Sequence, residues 1–430
     1  MPRILKKETL TDVNHFSQQL LNWAQTTETF AWLDSNDYPQ KYASYDKVLA
    51  LGVKSDLLTS YHNAFEKLNH YQQQTKDYLF GYLSYDLKND TELLESNNFD
   101  GLEFPDLYFF QPKKIFLIKG DHLEIQYDTS CAQEINTDLE KITNSILKQP
   151  KKSTQPEINA RISEAQYYTK FEQLQKHILR GDSYEINFCM EFFAEDAPIE
   201  PLAIFQELNA ISSPPFATFF RHKNHYLLSA SPERFVKKKG QKIISQPIKG
   251  TSSRSQNFTE DQALKSKLKK DPKERSENIM IVDLVRNDLS KTAMIASVQV
   301  EELCKVYSFK QVHQLISTVT SQVKKEITPV HLIKSLFPMG SMTGAPKIST
   351  MKIIESLEES KRGVYSGTVG YFTPSGDFDF NVVIRSILYN SLKKYTSFSV
   401  GGAITAKSNP KDEYQECLLK AAAMKKVLID

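Results

Sequence analysis

Hydrophobic residues recur along this chain with two different periods, which predict a mixture of helices and strands. In EAQYYTKFEQLQKHILRGD, residues 164–182, they recur every three or four positions, as in an amphipathic helix that ends at Gly181. In the next segment, SYEINFCMEFF, they alternate with polar residues, as in a half-buried strand. Helix and strand patterns interleave from there onward, so we predict an α+β fold.

The chain between residues 364 and 404 contains three strand-like runs separated by short turn sequences. The turns are Pro-Ser-Gly-Asp at 374–377 and Asn-Ser-Leu-Lys at 390–393. Strands joined by such short connections are antiparallel neighbours, because a parallel pair needs a crossover of roughly a dozen residues or more. We therefore predict a mostly antiparallel sheet with a meander in this part of the chain.

The first 150 residues have a different character from the rest. Short aromatic strand candidates, such as TFAWLD and YLFGYLSYDL, occur there among polar helices. The segment LKQPKKSTQPE, residues 147–157, is rich in Lys, Pro and Gln and is typical of a linker. We predict an amino-terminal region over residues 1–152 and a second region, which carries the main site, over residues 158–430.

Composition and charge argue against several classes of protein. The 430 residues are 40% hydrophobic and 25% charged with a net charge of +2, which is ordinary for a globular chain. The basic run 265–273 has acidic neighbours and no interleaved aromatic residues, so nucleic-acid binding is not expected. No apolar run approaches about 18 residues and the amino terminus lacks a signal core, so we expect no membrane segment. The four cysteines lack metal or disulfide spacing, which favours a cytoplasmic protein.

Lys249 is the most informative single residue in the sequence. It lies in QPIKGT, between an apolar strand candidate and a Gly-Thr turn. A lysine of ordinary pKa, about 10.4, is almost wholly protonated at neutral pH, so a nucleophilic lysine needs burial or a neighbouring positive charge. The alternative is an exposed lysine at the end of a strand, which is the commoner role for lysine.

Two pairs of glutamates are spaced so that the two members of each pair lie on one face of a predicted helix. Glu274 and Glu277 lie three positions apart on one predicted helix, and Glu413 and Glu416 lie three apart on another. Residues i and i+3 share a helix face, and carboxylates are the ligands that Mg²⁺ prefers. The alternative is a pair of solvated acidic helix faces, which is the usual role of glutamate.

Glycine-rich segments and one arginine complete a predicted anion pocket. GSMTGAPK, residues 340–347, leads into a helix whose free backbone N–H groups can bind carboxylate or phosphate, although glycine and proline also mark plain turns. Arg385 lies inside an apolar strand candidate, where its charge needs either an anionic ligand or a structural ion pair. Together these features predict a pocket for a small polyanion, with a divalent metal, a nucleophilic lysine and acid or base glutamates.

These motifs occur in the order and spacing of the chorismate-utilising enzymes, and they most resemble the aminodeoxychorismate synthase branch of that family. The motifs are SPERF at 231–235, PIKGT at 247–251, IVDLVRNDL at 281–289, GSMTGAPK at 340–347, Gly-Tyr at 370–371, IRS at 384–386 and GGAIT at 401–405. The similarity is strong over residues 160–425 and faint before them. It implies a large, mostly antiparallel two-sheet chorismate-binding fold with helices packed outside, and an amino-terminal region like that of anthranilate synthase component I.

The resemblance also implies roles for individual residues. Lys249 attacks carbon 2 of chorismate, and Glu233 protonates the hydroxyl that leaves carbon 4 and later acts as a base. Glu277 and Glu416 bind Mg²⁺, with Glu274 and Glu413 beside them. The implied substrate contacts are Thr251, Tyr371, Arg385, Gly402 and Lys420, and Ser35 falls where relatives bind tryptophan.

Two positions depart from the family pattern. Gln314 replaces a histidine that can assist the leaving hydroxyl, and a glutamine can donate a hydrogen bond but cannot deliver a proton. Glu185 stands where aminating relatives usually have glutamine, and where isochorismate and salicylate synthases have the lysine that activates water. The absence of that lysine favours amination over water addition.

The predicted reaction is the conversion of chorismate and ammonia to 4-amino-4-deoxychorismate, on the route to p-aminobenzoate and folate. Ammonia is expected from a separate glutamine amidotransferase subunit, because no cysteine lies in a Gly-x-Cys-x-Gly elbow. One alternative is anthranilate synthase component I, which aminates carbon 2 and has alanine in place of Lys249. The other is a non-catalytic relative that binds chorismate or the amidotransferase.

Overall fold

A computed structural model describes residues 3–147 and 155–429, so most of the predicted linker lies outside the described residues. The strands are β1 Arg3–Thr9, β2 Thr29–Asp34, β3 Lys47–Thr59, β4 Leu79–Leu83, β5 Leu107–Lys119, β6 His122–Asp128, β7 Asn159–Ala160, β8 Glu185–Ala194, β9 Phe216–His222, β10 His225–Ser231, β11 Arg234–Lys239, β12 Lys242–Gln246, β13 Ile248–Ser253, β14 Gln299–Ser308, β15 Val312–Gln322, β16 Gly344–Ala345, β17 Thr368–Phe372, β18 Phe378–Val382, β19 Ser386–Asn390 and β20 Tyr395–Thr405. The helices are α1 Val13–Ala24, α2 Ala64–Thr75, α3 Lys88–Thr91, α4 Ile135–Thr143, α5 Glu164–Arg180, α6 Pro201–Ser212, α7 Phe258–Lys270, α8 Pro272–Ser290, α9 Pro329–Leu336, α10 Lys347–Leu357 and α11 Pro410–Ile429.

The named strands form one antiparallel network with two arms, which meet at the long strands β3 and β5. One arm continues through β2, β9, β10, β19, β20 and β8. The other continues through β4, β17, β18, β11, β12 and β15. The arms face each other, since the rings of Tyr82 on β4 and Phe220 on β9 lie 5.6 Å apart. The predicted α+β, mostly antiparallel, two-sheet fold is therefore confirmed.

Alternating side chains of the strands fill two cores. On β2, Phe30 and Trp32 enter an outer core shared with the helices, whereas Ala31 between them enters the core between the two arms. This division follows from the two-residue period of a strand, which directs neighbouring side chains to opposite faces. The helices accordingly pack outside, as predicted.

The helix predicted over 164–182 is α5, which begins after a capping box of Ser163 and Gln166 and ends at Gly181 with a φ of 90°. Serine satisfies free N–H groups at the start, and glycine accepts the left-handed conformation at the end. No helix in the described ranges is both long and apolar enough to cross a membrane.

The two regions predicted from the linker share the strand network. Strand β2 pairs with β9, and β4 pairs with β17, so strands from before residue 152 complete both arms. The boundary at 152 to 158 stays a prediction about sequence organisation, and the amino-terminal strands are structural neighbours of the site-bearing ones.

The predicted meander over 364–404 is wrong in one respect. The chain turns back between β17 and β18 and again between β19 and β20, but β18 and β19 belong to different arms. The chain passes from one arm to the other at residues 383–385, where Arg385 has a φ of 53°. A left-handed conformation is unfavourable for a residue with a Cβ atom. The crossing therefore holds the backbone of Arg385 in a strained conformation.

Candidate active site

A cleft with an empty volume of about 860 Å³, part of it open to solvent, lies where β13 and β20 meet α8 and α11. Most of the residues predicted for the site line it. They are Glu233, Lys249, Thr251, Glu274, Glu277, Gln314, Arg385, Glu413, Glu416 and Lys420. Elements far apart in sequence therefore bring the predicted catalytic, metal-binding and substrate-binding groups to one place.

Lys249 projects from β13 into the cleft and pairs with a carboxylate. Its Nζ atom lies 2.8 Å from Oε1 of Glu185, and the side chains of the two residues are 10% and 0% exposed. Burial acts to lower the pKa of Lys249, but the negative charges of Glu185 and Glu277 outweigh it and raise the pKa above its ordinary value. The expectation that burial or positive neighbours free the lysine lone pair is thus wrong for the resting state, in which the lysine is an ammonium.

Glu233 lies between β10 and β11 and has the character of an acid that works near neutral pH. It is buried, and the hydroxyl of Ser341 donates a hydrogen bond of 2.7 Å to its Oε1. Burial raises the pKa of Glu233 to about 7. A group with that pKa can give up and regain a proton at neutral pH, which is what general acid and base catalysis requires.

The four glutamates of α8 and α11 converge on the same side of the cleft. Burial raises the pKa of Glu277 to about 7, and it also raises the pKa of Glu274, with a further contribution from the charge of Glu416. Like charges that face each other in this way favour either a proton or a cation between them.

The glutamates fit a hard divalent cation, although their ligand sphere is not preassembled. The Oε1 atom of Glu277 is buried and accepts no hydrogen bond from a described residue, so a cation would satisfy it. Lysines balance part of the charge, with Lys420 2.6 Å from Glu416 and Lys273 3.2 Å from Glu413. Within the described ranges no three acidic, histidine or cysteine side chains are already gathered as a metal site.

Arg385 supplies a positive charge to the cleft. The described residues offer its guanidinium no ion pair within 4.0 Å, and burial lowers its pKa. The sequence left a structural ion pair open as the alternative role of Arg385, and the described residues contain no such pair. A buried charge without a partner is costly, so Arg385 is suited to an anionic ligand that enters the cleft.

Glycine and glutamine positions shape the rest of the cleft. A Cβ atom at Gly402 would come within 3.3 Å of Oε2 of Glu413, so glycine leaves room for that carboxylate. Gln314 on β15 pairs with Thr251 on β13, and its side-chain oxygen is buried without a hydrogen-bond partner among the described residues. Gln314 lines the cleft, whereas at Gly402 the lining residues are its neighbours Gly401 and Ala403.

Two predicted site residues lie elsewhere. Tyr371 and Ser35 line a second cavity, together with Asp34 and Asp379. The placement of Tyr371 among the cleft residues is therefore wrong, and Tyr365, which precedes β17, lines the cleft instead. Tyr371 lies within strand β17, whose fixed alternation directs its side chain away from the cleft.

Sequence reasoning also missed partners of the predicted residues. Ser341, which holds Glu233, lies in the GSMTGAPK segment that was predicted to bind an anion through its backbone. Lys273, which pairs with Glu413, lies in the basic run 265–273, for which the sequence predicted no nucleic-acid binding and no other role. Glu185 was noted only as a departure from the family. The motif spacing contains no signal for these contacts, because each joins distant segments.

The cleft brings together a buried lysine beside a carboxylate, a glutamate that titrates near neutrality and the converging helix carboxylates. It also holds Arg385, which has no ion pair with a described residue. These groups define an enzyme-like site for a small anionic molecule. The chain belongs to the chorismate binding enzyme family, whose model matches residues 27–426.

Relatives support this assignment to different extents. The chain is 41% identical over 264 residues to aminodeoxychorismate synthase of Streptomyces griseus, covering 61% of this chain and 36% of that protein. It is 30% identical over 394 residues to aminodeoxychorismate synthase component 1 of Bacillus subtilis, covering 87% and 83%. The chain thus spans about a third of the first relative and most of the second.

A solved structure agrees in fold. Anthranilate synthase component I from Streptococcus pneumoniae superposes with a TM-score of 0.79 at 24% sequence identity, covering 90% of this chain and 94% of that one. At that identity the likeness concerns the fold alone.

Proposed function

We propose that this chain converts chorismate and ammonia to 4-amino-4-deoxychorismate, as the aminating component of an aminodeoxychorismate synthase. The observation that carries the proposal is the position of Lys249, which projects into the cleft between Glu233 and the glutamates of α8 and α11. The names of the Streptomyces griseus and Bacillus subtilis relatives support the same reaction.

In the first half-reaction the neutral amine of Lys249 attacks carbon 2 of chorismate. The ring double bond shifts, the bond from carbon 4 to its hydroxyl breaks, and Glu233 supplies the proton with which that hydroxyl leaves as water. A carboxylic acid whose pKa is about 7 holds this proton in a large fraction of molecules at neutral pH. The product of this step is a covalent adduct on Lys249.

In the second half-reaction ammonia adds at carbon 4, and the bond between carbon 2 and Lys249 breaks. Glu233, now a carboxylate, takes a proton from the incoming nitrogen and is restored to its acid form. The lysine is released as an amine, and the aminated ring leaves the cleft. Ammonia is thereby consumed and water is produced, so the proton balance closes.

Substrate binding falls to the cations of the cleft. Arg385 is unpaired among the described residues, and its planar guanidinium can bind a carboxylate through two parallel hydrogen bonds. Lys420 donates to the carbonyl of Gly401 over 2.8 Å and adds positive charge beside it. Glu277 and Glu416, with Glu274 and Glu413, would hold Mg²⁺, which would offset the charge of a substrate carboxylate.

The source of ammonia in this proposal is a separate glutamine amidotransferase subunit. All four cysteines, Cys131, Cys189, Cys304 and Cys417, are buried and free, and none has the exposed setting of a glutaminase nucleophile. Their free thiols also favour the reducing cytoplasm as the place of the reaction.

The product identifies the reaction. The purified chain is incubated with chorismate, Mg²⁺ and ammonium, with and without an added aminodeoxychorismate lyase, and the products are separated and weighed by mass spectrometry. We expect p-aminobenzoate only when the lyase is present. Anthranilate would instead assign amination at carbon 2, and unchanged chorismate at saturating ammonium would refute the proposal.

A further inference from the structure

Glu185 is a buried carboxylate that has one ion-pair partner among the described residues. It begins β8, where its backbone is held in register between Ala345 of β16 and Thr405 of β20. Its side chain is 0% exposed, and Oε1 lies 2.8 Å from Nζ of Lys249. Apart from this ion pair, neither carboxylate oxygen has a hydrogen-bond partner among the described residues. A buried charge is costly without a partner, so the ion pair with Lys249 is what stabilises this carboxylate in the fold.

The other charged groups that face Lys249 have different tasks in the proposed reaction. Glu233 approaches from the β10–β11 connection and must keep its proton for the leaving hydroxyl. Glu277 from α8 and Glu416 from α11 also contribute negative charge at Lys249. They belong to the group of four helix glutamates that would hold Mg²⁺, which we call the cation side of the cleft. Within the described chain, Glu185 is thus the carboxylate in ion-pair contact with the nucleophile.

We propose that Glu185 accepts a proton from the Lys249 ammonium before the amine attacks, and returns it after the amine is released. This inference rests on the proposed function and deepens it. The ion pair becomes a neutral amine and a neutral carboxylic acid, and the amine then forms its bond to carbon 2. After ammonia has displaced the lysine, the acid returns its proton, and the original ion pair is restored. Glu233 serves the leaving hydroxyl in the first half-reaction and the entering ammonia in the second.

Proton transfer within the Glu185–Lys249 pair has a consequence that a role of Glu185 as a simple counterion would not have. The pair holds one proton in both of its forms, so the fraction with a free amine does not depend on the pH of the solvent while that proton is retained. With glutamine at position 185, Lys249 must release its proton to the solvent. The rate constant kcat/KM of that variant should then fall tenfold for each pH unit below the pKa of the lysine.

The test compares the wild-type chain with Glu185→Gln, and with Glu185→Asp as the conservative control. The measured quantity is kcat/KM for 4-amino-4-deoxychorismate formation across pH, at saturating ammonium and Mg²⁺, with circular dichroism to verify folding. We expect a flat acidic side for the wild type, the same flat shape at a lower rate for Glu185→Asp, and an acidic limb of slope one for Glu185→Gln.

Two other results would overturn the inference. An acidic limb of slope one in the wild type that only moves to lower pH in Glu185→Gln would make Glu185 a counterion. Identical profiles in the two proteins would remove it from the reaction. In both cases the product would still be formed and the proposed function would stand, whereas a wild type that forms no aminated product at any pH would refute both.

Discussion

The cleft and the second cavity, which is lined by Tyr371, differ in how their buried charges are satisfied. Two buried ion pairs lie at the second cavity, with Arg234 2.9 Å from Asp379 and Lys47 2.8 Å from Asp34. In the cleft, Arg385 has no ion pair with a described residue, and Oε1 of Glu277 has no hydrogen-bond partner among the described residues. A fold tolerates such costs where a ligand or a reaction offsets them, so the open charges support the cleft, rather than the second cavity, as the candidate active site.

The largest effect should come from Lys249→Ala, which removes the proposed nucleophile. We expect the rate of 4-amino-4-deoxychorismate formation to fall by at least about a thousandfold, because the covalent route is lost. The rate is measured as the formation of 4-amino-4-deoxychorismate at saturating ammonium. Lys267→Ala, at an exposed position on α7, is the matched control and should keep the full rate. A full rate in Lys249→Ala would remove the lysine from the mechanism.

A pair of substitutions compares the two cavities directly. Arg385→Gln should raise KM for chorismate by about a hundredfold, since a bidentate contact to a carboxylate is lost, and should not lower the free energy of unfolding. Lys47→Met should leave KM unchanged and lower the free energy of unfolding by about 3–5 kcal/mol, because it strands Asp34 without its partner.

Steady-state kinetics and denaturant unfolding of both variants give these quantities. The opposite pattern, in which Arg385→Gln destabilises the fold and leaves KM unchanged, would mean that the open charge of the cleft is structural.

Lys273→Met tests whether the lysine competes with a divalent cation for the glutamates of α8 and α11. The ammonium of Lys273 lies 3.2 Å from Glu413 and 4.0 Å from Glu277, so it competes with a divalent cation for the same carboxylates. We expect the variant to bind Mg²⁺ up to about tenfold more tightly in titration calorimetry. Lys270→Met, exposed on α7, should bind as the wild type does. Weaker binding in Lys273→Met would assign the lysine a supporting role at the metal site.

The smallest expected effect concerns the decline of kcat/KM above neutral pH, which follows the loss of the proton of Glu233. Ser341 donates its hydrogen bond to the carboxylate, which favours the ionised form and holds the pKa below the value that burial alone would give. Ser341→Ala should therefore raise the pKa of Glu233. Because the reaction needs the protonated acid, the decline of kcat/KM above neutral pH should move to higher pH. A decline that moves to lower pH would contradict the assignment.

Local patterns predicted the parts of the site that lie within single elements. The spacing of Glu274 and Glu277 places both on one face of α8, and the capping signals of α5 lie within a few residues of its ends. Such features depend on neighbours in sequence, so the sequence is sufficient to predict them.

Contacts between distant segments were not predictable in the same way. Glu185 and Lys249 lie on β8 and β13, and the chain at Arg385 passes between arms that no hydrophobic period distinguishes. Tyr371 was misplaced for the same reason, because its side of β17 depends on the strands that pair with it. Sheet pairing decides these positions, and a single sequence leaves pairing open.

Trapping of the adduct tests the central claim most directly. The chain is mixed with chorismate and Mg²⁺ without any ammonia source, quenched in acid, and weighed intact before peptide mapping. The account predicts a mass gain equal to chorismate minus one water, located on the peptide that contains Lys249, and its disappearance when ammonium is added before the quench. An unmodified Lys249 under conditions in which the same preparation aminates chorismate at its full rate would contradict the account.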